Sequence, residues 1–534
     1  MLPSVVYLVP LLASIPTVNA KFSPVVDVGY AKYLGVYNSD LDLNTYYGIK
    51  FAQAPIGDLR WKAPVPVVEA KSYSGAVING TMPGLSCFQG TPYWKTSSSP
   101  TITPQSEDCL LLNVIQPGTA KSNSSAKLPV VVSIHGGGYT QGDATSYPPV
   151  AFINHANNEF IFVSVQYRLG AYGFLGSEEV TKHGSSNVGL LDQRLAIEWT
   201  HKHIAAFGGD PDKITIWGGS AGGGSVTHQM IMYGGVKNPP FSAAIAEFPW
   251  WQNMRTKQQL EKQYSTLLSA ANCTTLSCLR SLPEDQLAIA TQLTYTTGYQ
   301  NQEYGYGPFY YGPYVDGHII RDLPSTSFKN GHFTKVPMLV DRDFYEGASF
   351  TNASISSFEE MAADLKIQFP SADASFTSRL WDLYPASAFN STFWRRAAWF
   401  GDATIHCPTY YIASTVSASG QKIWKNIFNA GTQEHAAVGP FLAAFPEQLG
   451  HSPSGADNAT IGLVMKDWYA SFVVAGDPNK RSWSNVTKPF WPTYDKVAKE
   501  MMVNYTGIGV LDDAMFDKTE RCAFWWENAR VAQN

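Results

Sequence analysis

The chain has 534 residues, a formal net charge of −5, and 15% charged against 44% hydrophobic and 13% aromatic residues. That composition excludes a disordered chain, and six cysteines in this length are too few to replace a core, which excludes a small disulfide-stapled scaffold. Mild acidity, with no basic run of five or more, argues against a nucleic-acid partner.

Residues 1–20, MLPSVVYLVPLLASIPTVNA, form an apolar stretch ending in small residues, read as a secretory signal peptide cleaved after Ala20. The usual Lys or Arg before its apolar core is missing, and Pro3, Pro10 and Pro16 argue against a persistent membrane-spanning helix. No other apolar run approaches the ~18 residues a spanning helix needs, and the final Val-Ala-Gln-Asn reads as carrying no retention or anchor signal. Asn-x-Ser/Thr acceptors at Asn79, Asn123, Asn272, Asn352, Asn390, Asn458, Asn485 and Asn504, behind a signal-like segment, point to a secreted N-glycoprotein.

Without internal repeats or a dividing linker, residues 21–534 are expected to form one domain. A buried strand over Leu128–Ile134 stops at His135-Gly136-Gly137-Gly138, and a second over Phe160–Gln166 stops at Tyr167-Arg168. Helical apolar spacing over Gly189–Ala206 leads into a third strand, Lys213–Trp217, which ends at Gly218-Gly219-Ser220. Further strands are expected over Ala243–Ala246, Val336–Val340 and Gln421–Phe428, with loops over Thr91–Pro104 and Tyr304–Tyr314. This alternation predicts an α/β fold with a parallel sheet, its ligand site at the carboxyl ends of the strands.

Gly218-Gly219-Ser220-Ala221-Gly222, after a strand and before a small-residue stretch, is the G-x-S-x-G turn that lifts a serine hydroxyl out of the backbone at a helix N-terminus. A phosphate loop would need a following Gly-Lys-Ser/Thr, and a dinucleotide fold would need Gly-x-Gly-x-x-Gly; neither register is present. The glycines after His135 let backbone N–H groups approach a developing alkoxide.

Together these motifs resemble the type-B carboxylesterase/lipase family, which includes cholinesterases and fungal esterases. Further landmarks run through nearly all of the mature chain: Tyr47–Pro64, Ser106–Val114, Tyr167–Leu175, Asn187–Gln193, Phe207–Pro211, Pro313–Gly317, Gly476–Asn479 and Cys522–Trp525. The resemblance implies an α/β-hydrolase fold and a serine carboxylic ester hydrolase without metal or organic cofactor. Its substrate would be a small-molecule ester, with no membrane anchor; the oligomeric state stays open. Ser220 would be the nucleophile, and Gly137, Gly138 and Ala221 would supply the oxyanion N–H groups.

The family's acid falls at Glu346 in Val340-Asp341-Arg342-Asp343-Phe344-Tyr345-Glu346-Gly347, with Asp343 and Asp341 as alternatives. Its base falls at His435, although the usual His-Gly-x-Asp continuation is replaced by Ala436-Ala437-Val438; His451 is the alternative. His201 and His203 lack companion ligands for a zinc site. The resemblance also implies disulfides Cys87–Cys109, Cys273–Cys278 and Cys407–Cys522. The loop 88–108 carries a lid helix in the family's lipases, but here it holds three prolines and no helical apolar stripe.

Gly219 stands where many family members carry Glu, which predicts a pocket without a carboxylate there and a preference for uncharged esters. Trp250-Trp251 and the Tyr304–Tyr314 loop read equally as pocket lining or core. A true lipase is the neighbouring alternative, and a non-catalytic adhesion or binding homologue is the distant one.

Overall fold

The computed structural model describes residues 24–67, 76–95, 104–120, 127–146, 149–451 and 457–534. The expected leader, Asn123 and residues 96–103 of the expected lid loop lie outside these segments.

Fourteen strands occur among the described residues: β1 (Val25–Asp27), β2 (Ala31–Leu34), β3 (Val36–Asn38), β4 (Leu43–Lys50), β5 (Ala76–Asn79), β6 (Leu111–Pro117), β7 (Leu128–Ile134), β8 (Ile161–Val165), β9 (Gly209–Gly219), β10 (Ala243–Glu247), β11 (Met338–Asp343), β12 (Ile423–Asn429), β13 (Lys499–Asn504) and β14 (Gly507–Asp512). Eleven make one sheet in the order β14-β13-β12-β11-β10-β9-β7-β8-β6-β4-β3, and β1-β2-β5 make a small second sheet. From β8 through β7, β9, β10, β11 and β12 to β13 every pairing is parallel, whereas β14 and the strands β6, β4 and β3 join antiparallel. The central strands are covered on both faces, so they read as unbroken apolar runs such as VVVSI. The expected α/β-hydrolase architecture is therefore present.

The expected strands lie close to where the sequence places them, but β9 is longer, running from Gly209 to Gly219. Gly208, at φ +82°, ends the preceding helical turn and lets the chain start pairing with β7 at once. Helix α1 (Val188–His203) precedes β9, and α2 (Ala221–Ile231) follows it after a single residue, Ser220. A third helix, α3 (Asn458–Ala475), has buried residues around its whole circumference, as befits a helix enclosed by other layers.

Three disulfides close with Cα separations of 4.9, 5.6 and 5.0 Å, joining Cys87 to Cys109, Cys273 to Cys278 and Cys407 to Cys522. This is the pairing implied by the resemblance. Among the glycan acceptors, Asn79, Asn272, Asn390 and Asn485 are exposed, and Asn352 and Asn504 half-buried. Asn458 differs: it is 8% exposed, its Nδ2 donates to the Leu449 carbonyl (3.1 Å) and its Oδ1 accepts from Tyr505 (2.9 Å). A folded chain does not present that amide.

Candidate active site

The turn between β9 and α2 holds Ser220 at φ 59°, ψ −126°, a conformation costing on the order of 1–3 kcal/mol for a residue with a side chain. The surroundings fix it. Ser220 N–H donates to the Glu247 carbonyl (3.2 Å), while the Ser220 carbonyl accepts from Gly224 (2.8 Å) and Trp250 (3.1 Å). Close packing dictates the motif's outer glycines: a Cβ on Gly222 would lie 2.1 Å from the Ile134 carbonyl oxygen, and one on Gly218 2.5 Å from the Gly222 backbone.

His435 lies in the loop after β12, with Nε2 2.8 Å from Ser220 Oγ and Nδ1 2.5 Å from Glu346 Oε2. Glu346 is fully buried, and its other oxygen accepts the Asp343 N–H at 2.7 Å. The alternative acids have other partners. Asp343 accepts the N–H groups of Ala437 (3.2 Å) and Val438 (3.1 Å), and so ties down the loop just beyond His435. Asp341 accepts from Phe248 N–H (3.1 Å) and from the Tyr469 hydroxyl. The alternative base, His451, is exposed and paired with Asp457 across a short bridge.

Gly137 and Gly138 adopt φ of +100° and +63°, a backbone region that L side chains rarely enter. The neighbouring Gly136 packs its Cα against the serine turn: a Cβ there would stand 3.1 Å from Ser220 Cβ. His135 donates from Nδ1 to the Gly136 carbonyl (2.9 Å) and stacks on Tyr167 at 4.5 Å. Burial pushes its pKa down to about 4, which keeps that ring neutral. Ala221 opens α2, so its N–H has no acceptor within the helix, at the end that favours negative charge.

Aromatic rings enclose the imidazole. Phe248, Phe350 and Trp250 have centroids 5.0, 4.8 and 6.1 Å from that of His435. Trp250 is thus a site wall. Trp251 is core, stacked on Phe328 at 5.6 Å with its indole N–H on Thr227. Phe309, in the Tyr304–Tyr314 loop, lies where a Cβ on Gly138 would touch its ring, while Tyr304, Tyr310, Tyr311 and Tyr314 are buried core. His203 packs against Tyr30 and Trp199, an aromatic setting rather than a ligand set.

The Gly219 position needs a correction. A Cβ there would lie 2.6 Å from the Phe248 ring, so that ring occupies the space a side chain would take. The surroundings are not free of carboxyls, because parallel register sets Glu247 directly beside Gly219 and Asp341 directly beside Glu247. Burial pushes the Glu247 carboxyl up to about 7, and burial with mutual repulsion pushes Asp341 and Asp343 up as well. The sequence motifs do not reveal Glu247, Phe248 or Phe350, whereas Phe309 falls in the loop read as pocket lining or core. Of those three only Glu247 leaves a sequence signal, as a carboxylate ending the apolar run AAIAE.

The likenesses to known proteins follow the same plan. The pattern of the carboxylesterase family matches residues 23–525. Lipase 1 of Geotrichum candidum is 31% identical, over 88% of this chain and 89% of that protein; carboxylesterase patB of Aspergillus clavatus is 28% identical, over 94% and 95%. The crystal structure of Aspergillus niger EstA superposes with a TM-score of 0.82 at 29% identity, covering 96% of this chain and 99% of that one. With the fold, the serine turn and nearly the full length in common, the chain belongs to the carboxylesterase family and is a carboxylic ester hydrolase.

Proposed function

We propose that this is a secreted serine esterase working through Ser220, His435 and Glu346 on uncharged carboxylic esters. The observation that carries the reading is the imidazole spanning from Ser220 (2.8 Å) to Glu346 (2.5 Å). Ser220 Oγ attacks the ester carbonyl carbon while its proton passes to His435 Nε2. Nδ1–H donates to Glu346 Oε2, whose charge stabilises the imidazolium. The carbonyl oxygen, now an alkoxide, is held by the N–H groups of Gly137, Gly138 and Ala221, of which one is commonly worth ~3 kcal/mol. The tetrahedral adduct collapses as Nε2 returns the proton to the leaving alcohol, giving an acyl-serine. Water then attacks that acyl carbon, with the same imidazole taking and returning a proton, and the carboxylic acid leaves.

Removal of residues 1–20, glycans on the exposed acceptors, and one domain spanning 21–534 complete the proposal. Relatives bearing the names secreted lipase 1, of Botryotinia fuckeliana, and secreted triacylglycerol lipase, of Gibberella zeae, support secretion. Lipase-named relatives also keep a second reading open, interfacial lipolysis. The three prolines of loop 88–108 and its lack of a helical apolar stripe favour the esterase.

Labelling with a fluorophosphonate probe tests the first reading: wild type should label on Ser220, and Ser220→Ala should not. His451→Ala should leave turnover within about tenfold, whereas His435→Ala should abolish it. A folded wild type that stays unlabelled overturns the proposal. A jump in rate as the substrate passes into emulsion would select the lipase.

A further inference from the structure

Four carboxyl groups, Glu247, Asp341, Asp343 and Glu346, converge behind the serine turn from the ends of two adjacent parallel strands and the loop beyond them. Among the described residues none of them pairs with Lys or Arg, and the sole ion-pair partner is His435, on Glu346. Asp341 and Asp343 each accept at both oxygens, and so does Glu346. Glu247 is the exception: Oε2 accepts the Trp217 indole N–H (2.6 Å), but Oε1 is buried with no partner. Glu247 lines a cavity of about 80 Å³, with Trp217, Gly219, Phe248 and His135 among the other walls. That is room for a few water molecules beside the residue.

The same residue is tied to the chemistry through its backbone. Its carbonyl accepts the Ser220 N–H, and the next ring, Phe248, stands edge-on to His435. We propose that Glu247 is a positioning residue: its carboxyl sets the electrostatic potential at His435 and gives the acid limb of turnover a second ionisation. The inference rests on the Ser220–His435–Glu346 reading.

When Glu247 is neutral the imidazolium of the transition state sees Glu346 alone. When Glu247 ionises, a second negative charge favours that imidazolium across a dry wall. Groups facing Glu247 from each packed element are few: Trp217 on β9, Asp341 on β11, Tyr469 on α3, His135 after β7, and His435 across Phe248. Lys466 of α3 turns its ammonium to the Phe441 carbonyl (2.8 Å) instead. Burial, opposed in part by the Trp217 N–H, places the Glu247 transition near neutrality, at about 7, and the Glu247 charge in turn pushes Asp341 up.

The test is kcat/KM for a neutral acetate ester from pH 5 to 9, in wild type and Glu247→Gln. The ratio of wild type to variant should rise about tenfold between pH 5.5 and 8.5 as Glu247 takes up its charge. A structural defect alone would lower the variant by the same factor at every pH, so a flat ratio overturns the proposal. Should the variant not fold, the wild-type acid limb decides by itself: two ionisations support the inference and a single one overturns it. Ser220→Ala and His435→Ala are run alongside. If they turn over normally the underlying reading fails, whereas if they are dead and the ratio is flat only the role of Glu247 fails.

Discussion

Strand β11, MLVDRD, separates two buried charge clusters that obey opposite rules. Alternation sends Asp341 and Asp343 to one face, where they join Glu247 and Glu346 around one imidazole, and sends Arg342 to the other. On that second face three carboxylates, Glu500, Asp513 and Asp517, lie within 4.8 Å of one another, a spacing that suits a metal ion. Lys425 puts its ammonium among them, 3.0 Å from Asp513, 2.7 Å from Asp517 and in contact with Glu500, while Arg342 forks onto Asp517 at 2.7 and 2.8 Å. Burial pushes the Glu500 carboxyl up to about 8, so at neutral pH it keeps its proton and the other two carboxylates meet two positive charges. The charge-balanced cluster is built to stay as it is. The acid-rich cluster has no such cations: burial pushes up Glu247, Asp341 and Asp343 with no Lys or Arg beside them, which is how functional sites differ from structural ion pairs.

The largest expected effects break the acid-rich side. Glu346→Gln should lower kcat by about 10⁴-fold, because an amide neither holds the productive tautomer of His435 nor stabilises its cation. The variant should retain the wild-type stability in urea to within about 1 kcal/mol, since the Asp343 N–H still finds an amide oxygen. A loss of activity matched by a comparable loss of stability would erase the distinction between the two clusters.

The opposite pattern is expected on the balanced side. Lys425→Met removes the only ammonium from three fully or nearly buried carboxyl groups. Breaking one member out of such a group typically costs about 3–5 kcal/mol. Urea unfolding should show that loss, while kcat of whatever remains folded should fall less than about tenfold. A dead but stable variant would place this cluster in the catalytic machinery and defeat the comparison.

Much of the acid-rich side is legible in the amino-acid sequence. The serine turn and the family landmarks point to Ser220, His435 and Glu346, because those motifs are local: a few consecutive residues fix a strained turn or follow a strand. The division of Trp250 to the site and Trp251 to the core is not legible, since adjacent residues on an irregular segment carry no period to assign them. Glu247 is hidden for a different reason. Its meaning depends on lying beside Gly219 in a parallel sheet, and that register relates residues 28 positions apart. Gly219 by itself therefore reads as the removal of a carboxyl, whereas the neighbouring strand supplies one and the Phe248 ring fills the gap. The antiparallel strands β3 and β4 are hidden as well, because VYN and LNTYYGIK mix polar and apolar residues without clean alternation.

A pH series of stability sharpens the comparison from the thermodynamic side. The Glu247 carboxyl is raised from 4.5 to about 7 on folding, so the native chain keeps a proton that the unfolded chain releases. Its contribution is therefore fully present below about pH 4.5 and is lost as pH rises through about 7. At ~1.4 kcal/mol per unit, the difference amounts to about 3 kcal/mol as an upper bound. Since the residue is only 8% exposed, solvent screening takes little from that figure. Unfolding free energies of wild type should fall between pH 5 and 8 more steeply than those of Glu247→Gln. Parallel curves would show that folding does not shift the Glu247 ionisation within this window, and that the cluster holds no reserve there.

The smallest effect concerns Asp343, which stands between the two roles. Its carboxyl accepts the Ala437 and Val438 N–H groups and its own N–H reaches Glu346, so it fixes the loop that carries His435 without touching the imidazole. In Asp343→Asn the amide oxygen can keep one of those two backbone donors, and the amide NH₂ faces the other as donor against donor. One buried N–H is left unsatisfied, at a cost of about 1–2 kcal/mol. Because the lost anchor is only two or three residues from His435, the base should also wander, lowering kcat about tenfold with KM little changed. Asp343→Ser, whose shorter hydroxyl reaches neither N–H at the original distance, should lose more stability than Asp343→Asn and recover none of the kcat. If kcat instead fell as far as in Glu346→Gln, Asp343 would be acting on the imidazole directly, and the alternative assignment of the acid would have to replace Glu346.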